Sequence, residues 1–223
     1  MSLWVDDGVN DGPTNMARDA AYLECGEARV RVYEWDRPWV SLGRFQVPEM
    51  TVRAGCEVGW VIRPTGGKAV LHGHDLTVGM GFPLALLRES EREVKAIYRR
   101  VIPVLVGALN RVGIPAILAE ETPFVRGAGK VADCFAHVSA NDVVDPATGM
   151  KVCGCALRVT SDMVLVQASI PVREPEVFAG EVFDDPALPG QVWNVRRQDF
   201  SVAVGEEFEG LVARCTSTVE RGG

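Results

Sequence analysis

The sequence predicts an α+β domain with an antiparallel or mixed sheet flanked by helices. Short apolar runs separated by turns fill residues 116–172, few stretches show a helical period, and the strand-like runs follow one another directly. The 223 residues, 47% of them hydrophobic, are enough to bury a substantial core. Glycine and proline are spread along the chain rather than gathered in a linker, so we expect residues 1–223 to form a single domain.

The first half of the chain predicts one helix and then several strands. Thr14 or Asn15 can cap the helix, and Gly26 stands where its C-terminal cap is expected. The strands are predicted from alternation and from short apolar runs, at Arg29–Trp35, Pro38–Leu42, Val58–Arg63, Ala69–Leu71 and Leu76–Phe82.

The second half begins with the longest predicted helix. Ser90–Glu93 is a capping box, and an apolar stripe runs on from Val94 to Val112, with a bend expected near Pro103 and an end at Gly113. The later predicted elements are strands at Asn141–Val144, Lys151–Val159 and Met163–Pro171, and helical segments near Pro175–Phe183 and Phe208–Thr216.

Composition narrows the classes of function. The net charge of −7 argues against non-specific nucleic-acid binding, which depends on Lys and Arg neutralising phosphates. No apolar run approaches the roughly 20 residues of a membrane helix, and the first residues lack the pattern of a signal peptide. We therefore expect a cytoplasmic protein that does not bind membranes, with its six cysteines as thiols.

The segment Arg63–Thr77 is the densest cluster of unusual residues. Gly66 and Gly67 let the backbone approach a ligand, and Arg63 and Lys68 supply positive charge for a phosphate or a polarised carbonyl. Glycine pairs also occur in simple tight turns, and the spacing of a P-loop is absent. Spacing alone leaves both interpretations open.

A second cluster opens a strand of small residues. If the strand is regular, Lys151, Cys153 and Cys155 share one face, and Val152, Gly154 and Ala156 share the other. Small side chains leave room for a ligand against the sheet, although a lysine at the start of a strand is commonly just solvated.

A third cluster places a thiol near an imidazole, at Cys134 and His137. A cysteine becomes a useful nucleophile when a nearby cation or base favours its thiolate. Unpaired cysteines also occur as buried apolar filler, so the cluster by itself decides nothing.

Together the three clusters resemble the lipoate-protein ligases and octanoyltransferases, which share the biotin-ligase catalytic fold. The family motif Arg-x-Ser/Thr-Gly-Gly-x-Ala-Val-x-His is met from Arg63 to His72, and Lys-x-x-Gly-x-Ala-x-Arg is met from Lys151 to Arg158. The resemblance covers about residues 15–170. It is strongest to the single-domain, cysteine-dependent octanoyltransferases, because Cys134 falls at the place of their nucleophile.

The resemblance implies that an octanoyl group moves from acyl carrier protein to a lysine of a lipoyl domain or of the glycine-cleavage H protein. It implies Cys134 as nucleophile and Lys151 as the group that polarises the acyl carbonyl, with His72 and His137 as alternatives for proton handling. It implies no cofactor, no metal and a monomer. The substrate-binding residues it implies are Arg63, Thr65, Gly66, Gly67, Lys68, Ala69, His72, Gly154 and Ala156.

Four alternatives stay open. An ATP-dependent lipoate-protein ligase would use the same motifs with ATP and magnesium, and Cys134 would be incidental. Cys153 or Cys155 could be the nucleophile if Cys134 is buried. A metal-binding module could take four zinc ligands from Cys134, His137, Cys153 and Cys155. A member that has lost catalysis would only bind an acyl group.

Overall fold

The computed structural model describes residues 2–88, 92–125, 131–187 and 191–220. Its strands are β1 (Trp4–Asn10), β2 (Arg29–Trp35), β3 (Trp39–Leu42), β4 (Gly59–Ile62), β5 (Val70–His72), β6 (Asp75–Pro83), β7 (Ile117–Leu118), β8 (Val143–Val144), β9 (Lys151–Val159) and β10 (Met163–Pro171). Its helices are α1 (Gly12–Ala21), α2 (Pro48–Thr51), α3 (Val94–Arg111), α4 (Ala179–Val182) and α5 (Arg197–Glu220).

The strands form two mixed sheets, as the sequence predicts. The larger sheet has seven strands in the order β1-β2-β6-β10-β9-β8-β7, and the smaller has the order β4-β3-β5. Each sheet has one parallel pair, β1 with β2 and β3 with β4, while their other pairs are antiparallel. Within the described ranges, no helix is long and apolar enough to span a membrane.

The two faces of the seven-stranded sheet differ in composition. One face packs on α3 and α5 and is apolar, with Val32, Val78 and Val166 in the main core. The alternate residues on the same strands face α1 and the smaller sheet. They are polar or small, for example Thr77 and Gln167. This second face holds the candidate site.

The N-terminal strand β1 is absent from the sequence-based predictions. Asp6, Asp7 and Gly8 resemble a turn in sequence, and Gly8 does have a positive φ of 69°. The strand forms because it pairs in parallel with the edge of β2, with a register shift between Asp6 and Val9. A long-range partner therefore overrides an unfavourable local composition.

The longest helix is α5 with 24 residues, not α3 with 18, so the prediction for the helix after Ser90–Glu93 is wrong in that respect. Two glycines in α5, which lower helix propensity, obscure its apolar stripe in the sequence. Gly205 is needed there because a Cβ would lie 2.4 Å from Trp4 of β1. Ser90 and Glu91 of the predicted capping box lie outside the described residues, and α3 begins at Val94.

Helix α1 starts earlier and ends earlier than predicted. Asp11 is its N-cap, and its carboxylate accepts a hydrogen bond from the Thr14 amide at 2.7 Å. The helix ends at Tyr22, so Gly26 belongs to the following turn and is not the helix cap. Asn15 lies inside the helix and is buried, where it contacts Arg31 of β2.

Candidate active site

The structure brings Cys134 and Lys151 into contact although 17 residues separate them. The Lys151 Nζ donates to the Cys134 Sγ at 3.3 Å and to the Cys134 carbonyl at 2.9 Å. A weaker contact of 3.5 Å joins the same nitrogen to the His137 carbonyl. The segment before β8 and the first residue of β9 therefore meet at one ammonium group.

The Lys151 ammonium is buried and paired with Asp142. Its side chain is 4% exposed, that of Asp142 is 5% exposed, and Nζ lies 3.0 Å from Oδ1. Burial alone lowers the pKa of Lys151, but the neighbouring Cys134 and Asp142 outweigh burial and hold that pKa above its ordinary value. Lys151 is consequently a permanent cation at neutral pH, not a proton acceptor.

A bulge in β9 determines where Lys151 points. Val144 of β8 pairs with Lys151, but the preceding Val143 pairs with Cys153, so Val152 is an extra residue on β9. Val152 and Cys153 both pack into the helix-side core as a result. The predicted placement of Lys151 on the face of Cys153 and Cys155 is therefore wrong, whereas those two cysteines do share a face. Val152, predicted to face with Gly154 and Ala156, lies on the helix side.

Beyond the bulge, β9 alternates regularly. Cys155 packs against the helix-side core together with Leu157 and Val159. Gly154 faces the other way, and a Cβ built on it would lie 3.2 Å from Lys151 Cε and 3.5 Å from Cys134 Sγ. Gly154 thus gives the lysine and the thiol the space to meet.

The other two cysteines of β9 form their own pair. The Cys153 and Cys155 sulfurs are 3.6 Å apart, and this hydrogen bond, followed by burial, raises the pKa of the Cys155 thiol well above its ordinary value. In the part of the chain that the structure describes, no group of three or more His, Cys, Asp or Glu side chains could hold a metal ion. The zinc module is therefore not supported.

The glycine loop is held by Arg63. The guanidinium is buried and donates to the Thr65 hydroxyl at 3.1 Å, to the Ser41 carbonyl at 2.9 Å, and to the Gly66 and Lys68 carbonyls at 2.6 and 2.7 Å. Burial lowers the pKa of Arg63 to about 10, so it stays charged at neutral pH. In this structure its donors fasten the loop itself.

Two backbone contacts place the glycine loop beside Cys134. The Cys134 amide donates to the Ala69 carbonyl at 2.9 Å, and Ala69 bridges Asp133 in parallel. Gly67 has a φ of 92°, and a Cβ there would lie 3.7 Å from that of Ala156. Ala156 is two residues after Gly154, so the loop lies over β9 next to the Cys134 and Lys151 pair.

Thr65 connects the loop to a buried polar network. Its hydroxyl donates to the Gln167 side chain at 2.6 Å, and Gln167 donates to Asp19 at 2.6 Å. Asp19 also accepts from Arg31 at 2.7 Å and from the Tyr33 hydroxyl at 2.7 Å. The loop, α1 and two strands of the larger sheet, β2 and β10, are thereby linked.

His72 is held on both ring nitrogens. Nε2 lies 2.8 Å from the Ser41 hydroxyl, and Nδ1 lies 2.8 Å from the Asp75 carboxylate. The ring also stacks on Trp35 with centroids 4.0 Å apart. His137 contributes its backbone carbonyl to Lys151, so the two histidines have different environments.

A cavity opens between the sheet and the glycine loop. Cys134, Gly154 and Ala156 border it together with Arg63 and His72. The remaining lining residues are Met16, Tyr33, Trp35, Ser41, Val70, Thr77, Cys155, Gln167, Ala168 and Ser169. Five of the predicted site residues thus border this cavity, and Lys151 lies at its edge through Cys134 and Gly154.

Sequence reasoning missed Asp142 and Asp133. Asp142 pairs with Lys151, and its other oxygen accepts from the Ser139 amide at 2.7 Å. Asp133 accepts from the Phe135 amide at 2.9 Å and from the Ala187 amide at 2.8 Å, which shapes the loop around Cys134. Asp142 could have been singled out in the sequence, because it is a carboxylate inside the predicted strand Asn141–Val144.

The comparisons with known proteins agree with this geometry. The family model of the lipoyl protein ligase A/B catalytic domain matches residues 11–179. An octanoyltransferase LipM of Symbiobacterium thermophilum is 34% identical over 179 residues, which cover 74% of this chain and 63% of that protein. A LipM of Halalkalibacterium halodurans is 27% identical over 206 residues, covering 84% and 72%. The chain thus matches less than two thirds of the length of the first relative.

Solved structures show the same fold at lower identity. A putative lipoate protein ligase from T. acidophilum with bound lipoic acid has a TM-score of 0.69 and 18% identity, covering 95% of this chain and 85% of that one. A lipoate-protein ligase A bound with ATP has a TM-score of 0.66 and 18% identity, covering 96% and 93%. The glycine loop, the lysine strand and the matched family model together show that this chain belongs to the family of lipoyl protein ligase A/B catalytic domains.

Proposed function

We propose that the chain is an octanoyltransferase that moves an octanoyl group from acyl carrier protein to a protein lysine through a thioester on Cys134. The observation that carries this proposal is the 3.3 Å contact between the Cys134 Sγ and the buried Lys151 ammonium. A thiolate is the nucleophilic form of cysteine, and an adjacent fixed cation stabilises it. The similarity to proteins named octanoyltransferase LipM supports the same activity.

The first step forms the acyl-enzyme. The Cys134 thiolate attacks the carbonyl carbon of the carrier thioester, the carbon–sulfur bond to the carrier breaks, and the carrier thiol leaves with a proton from solvent. Lys151 balances the charge that moves from the thiolate to the carbonyl oxygen. In this proposal the amides of Gly66 and Gly67 donate to this oxyanion, and the position of their loop over β9 supports that role.

The second step delivers the acyl group. The neutral amine of an acceptor lysine attacks the Cys134 thioester, an amide bond forms as the carbon–sulfur bond breaks, the amine proton leaves to solvent, and the thiolate is regenerated beside Lys151. The acceptors we propose are a lipoyl domain and the glycine-cleavage H protein. The route needs neither a cofactor nor a metal, because the thioester already carries the activated acyl group.

In this proposal the acyl chain occupies the cavity bordered by Cys134. Gly154 and Ala156 are small and so leave space in the cavity next to β9. Met16, Val70 and Trp35 supply apolar contacts. Thr65, Lys68 and Ala69 act through the shape of the glycine loop, because Arg63 and the Cys134 backbone hold them.

Intact-mass spectrometry after mixing the protein with octanoyl carrier protein, without ATP, tests the proposal. We expect a hydroxylamine-sensitive octanoyl adduct on the wild type, on Cys153→Ala and on Cys155→Ala, and none on Cys134→Ala. An adduct lost in Cys155→Ala instead would move the nucleophile to β9. Lipoyl-domain modification that needs ATP and free lipoate, with no adduct on any variant, would establish the ligase chemistry instead.

A further inference from the structure

Ser41, His72 and Asp75 form a hydrogen-bonded series beside the cavity that the transfer through Cys134 does not use. The Ser41 hydroxyl lies 2.8 Å from His72 Nε2, and His72 Nδ1 lies 2.8 Å from Asp75 Oδ2. The residues come from three strands, β3, β5 and β6. Nucleophile, base and orienting carboxylate are therefore in the relative positions of a serine hydrolase triad.

The partners of Asp75 determine the tautomer of His72. Burial raises the pKa of Asp75, but the contacts with His72 outweigh burial and hold that pKa well below its ordinary value, so the carboxylate is ionised and can only accept. It accepts from the Thr77 and Ser169 hydroxyls at 2.9 and 2.6 Å as well. In the neutral imidazole, Nδ1 of His72 therefore carries the proton towards Asp75, and Nε2 accepts from the Ser41 hydroxyl.

Ser41 is buried but lies at the cavity. The residue is 2% exposed, yet it borders the same cavity as Cys134. A guanidinium nitrogen of Arg63 lies 3.4 Å from the Ser41 Oγ and 2.9 Å from the Ser41 carbonyl. This buried cation is placed to stabilise negative charge on a tetrahedral intermediate at Ser41.

The stacking of Trp35 on His72 fixes the plane of the imidazole, since the rings are 18° from parallel. The Trp35 indole N–H donates to Thr77 at 2.9 Å, and Thr77 in turn donates to Asp75. Trp35 thus holds the base by stacking, and Thr77 holds the carboxylate by a hydrogen bond. Both groups are fixed before substrate arrives, which is the pre-organisation that general base catalysis needs.

We propose that Ser41 is a second nucleophile of this cavity and gives the protein a hydrolase activity towards medium-chain acyl esters and thioesters. His72 Nε2 takes the Ser41 proton while Oγ attacks the carbonyl carbon, and the leaving alcohol or thiol departs with that proton. A water molecule then attacks the Ser41 ester with His72 as base, the carboxylic acid leaves, and Ser41 recovers its proton. The acyl chain length rests on the proposed function, because the cavity is shared.

A fluorophosphonate probe and p-nitrophenyl octanoate test this activity in a Cys134→Ala background, where the thioester route is absent. We expect the probe to label Ser41 in peptide mapping, with one fluoride lost per labelled serine. We expect ester hydrolysis to fall at least about 100-fold when Ser41→Ala is added. The matched control Ser161→Ala, in the exposed turn between β9 and β10, should hydrolyse the ester as Cys134→Ala does.

Two results would overturn the inference. The first is that Ser41 in folded Cys134→Ala protein takes up no fluorophosphonate probe. This measurement needs no Ser41 variant, so it holds even if Ser41→Ala fails to fold. The other is equal ester hydrolysis with and without Ser41→Ala, which would reduce the three residues to a structural link among strands. Neither result bears on the Cys134 adduct of the wild type, so the transferase proposal is tested separately.

Discussion

The two faces of the seven-stranded sheet carry different kinds of residue on the same strands. Towards α3 and α5 the side chains are apolar and buried, as in Val32 and Val166. Towards the glycine loop the alternating positions hold Thr77, Gln167 and Gly154, which hydrogen-bond or leave space. Substitutions on the helix side should therefore mainly lower stability, and substitutions on the glycine-loop side should mainly lower activity, even where the two positions are neighbours on one strand.

The cysteines show this division most clearly. Cys134 contacts the Lys151 ammonium, whereas Cys155 packs on the helix side with its sulfur bonded to Cys153. Residue type alone does not distinguish them, because all three are thiols within 22 positions of one another. The residues that surround each thiol distinguish the three cysteines.

The largest expected effect is from Cys134→Ser. A serine hydroxyl beside Lys151 stays protonated, so the initial rate of octanoyl transfer to a lipoyl domain should fall by roughly 10³-fold or more. Cys155→Ser should change that rate by less than about threefold, because the Cys155 side chain packs on the helix-side core although the residue borders the cavity. Equal losses from both variants would contradict the division between faces.

Lys151→Met should reduce both activity and stability. Transfer should fall by roughly 10²-fold or more because the thiolate loses its cation. The free energy of unfolding should fall by about 3 kcal/mol, since Asp142 is left buried without its partner.

Combining Lys151→Met with Asp142→Asn separates the two roles of the lysine. Urea unfolding of the double variant should show recovery of most of the lost stability, because the buried charge is gone. Octanoyl transfer should stay as low as in Lys151→Met. Recovery of transfer together with stability would mean that Lys151 is only structural.

Gly154→Ala should have a moderate effect on the site face alone. The new methyl would crowd Lys151 Cε at 3.2 Å and touch Cys134 Sγ at 3.5 Å, so Lys151 must shift and we expect transfer to slow by about tenfold. Gly180→Ala is the matched control, because its Cβ meets only Pro186 at 3.7 Å. A Gly154→Ala rate as high as that of the control would show that the contact between lysine and thiol tolerates displacement.

The smallest expected effect concerns the thiol pair on the helix side. The pKa of Cys155 is raised first by its hydrogen bond with Cys153 and then by burial, so little thiolate exists at pH 8. Iodoacetamide labelling of Cys155 should rise with pH, and Cys153→Ala should speed it several-fold at pH 8 by lowering that pKa. Peptide mapping of the labelled protein, in a Cys134→Ala background, measures the labelling rate of Cys155. A labelling rate that is unchanged by Cys153→Ala would contradict the role of this bond.

Much of the fold was open to prediction from the sequence. Strands β2, β6, β9 and β10 were predicted to within a residue or two, because alternation reports which positions face a core. Strand β1 was missed because parallel pairing with β2 outweighs its turn-like composition. Helix α5 was underestimated because Gly205 is selected by contact with Trp4 and not by helix propensity.

The sequence by itself determined the family motifs, the glycine loop, and the candidacy of Cys134 and Lys151, because these depend on residue type and local spacing. Tertiary structure decided the direction of the Lys151 side chain, because the bulge in β9 depends on how β9 pairs with β8. It also decided that Asp142 balances the ammonium and that Thr65 meets Gln167, a residue 102 positions away. Such pairings follow from strand register and burial, which local sequence patterns do not encode.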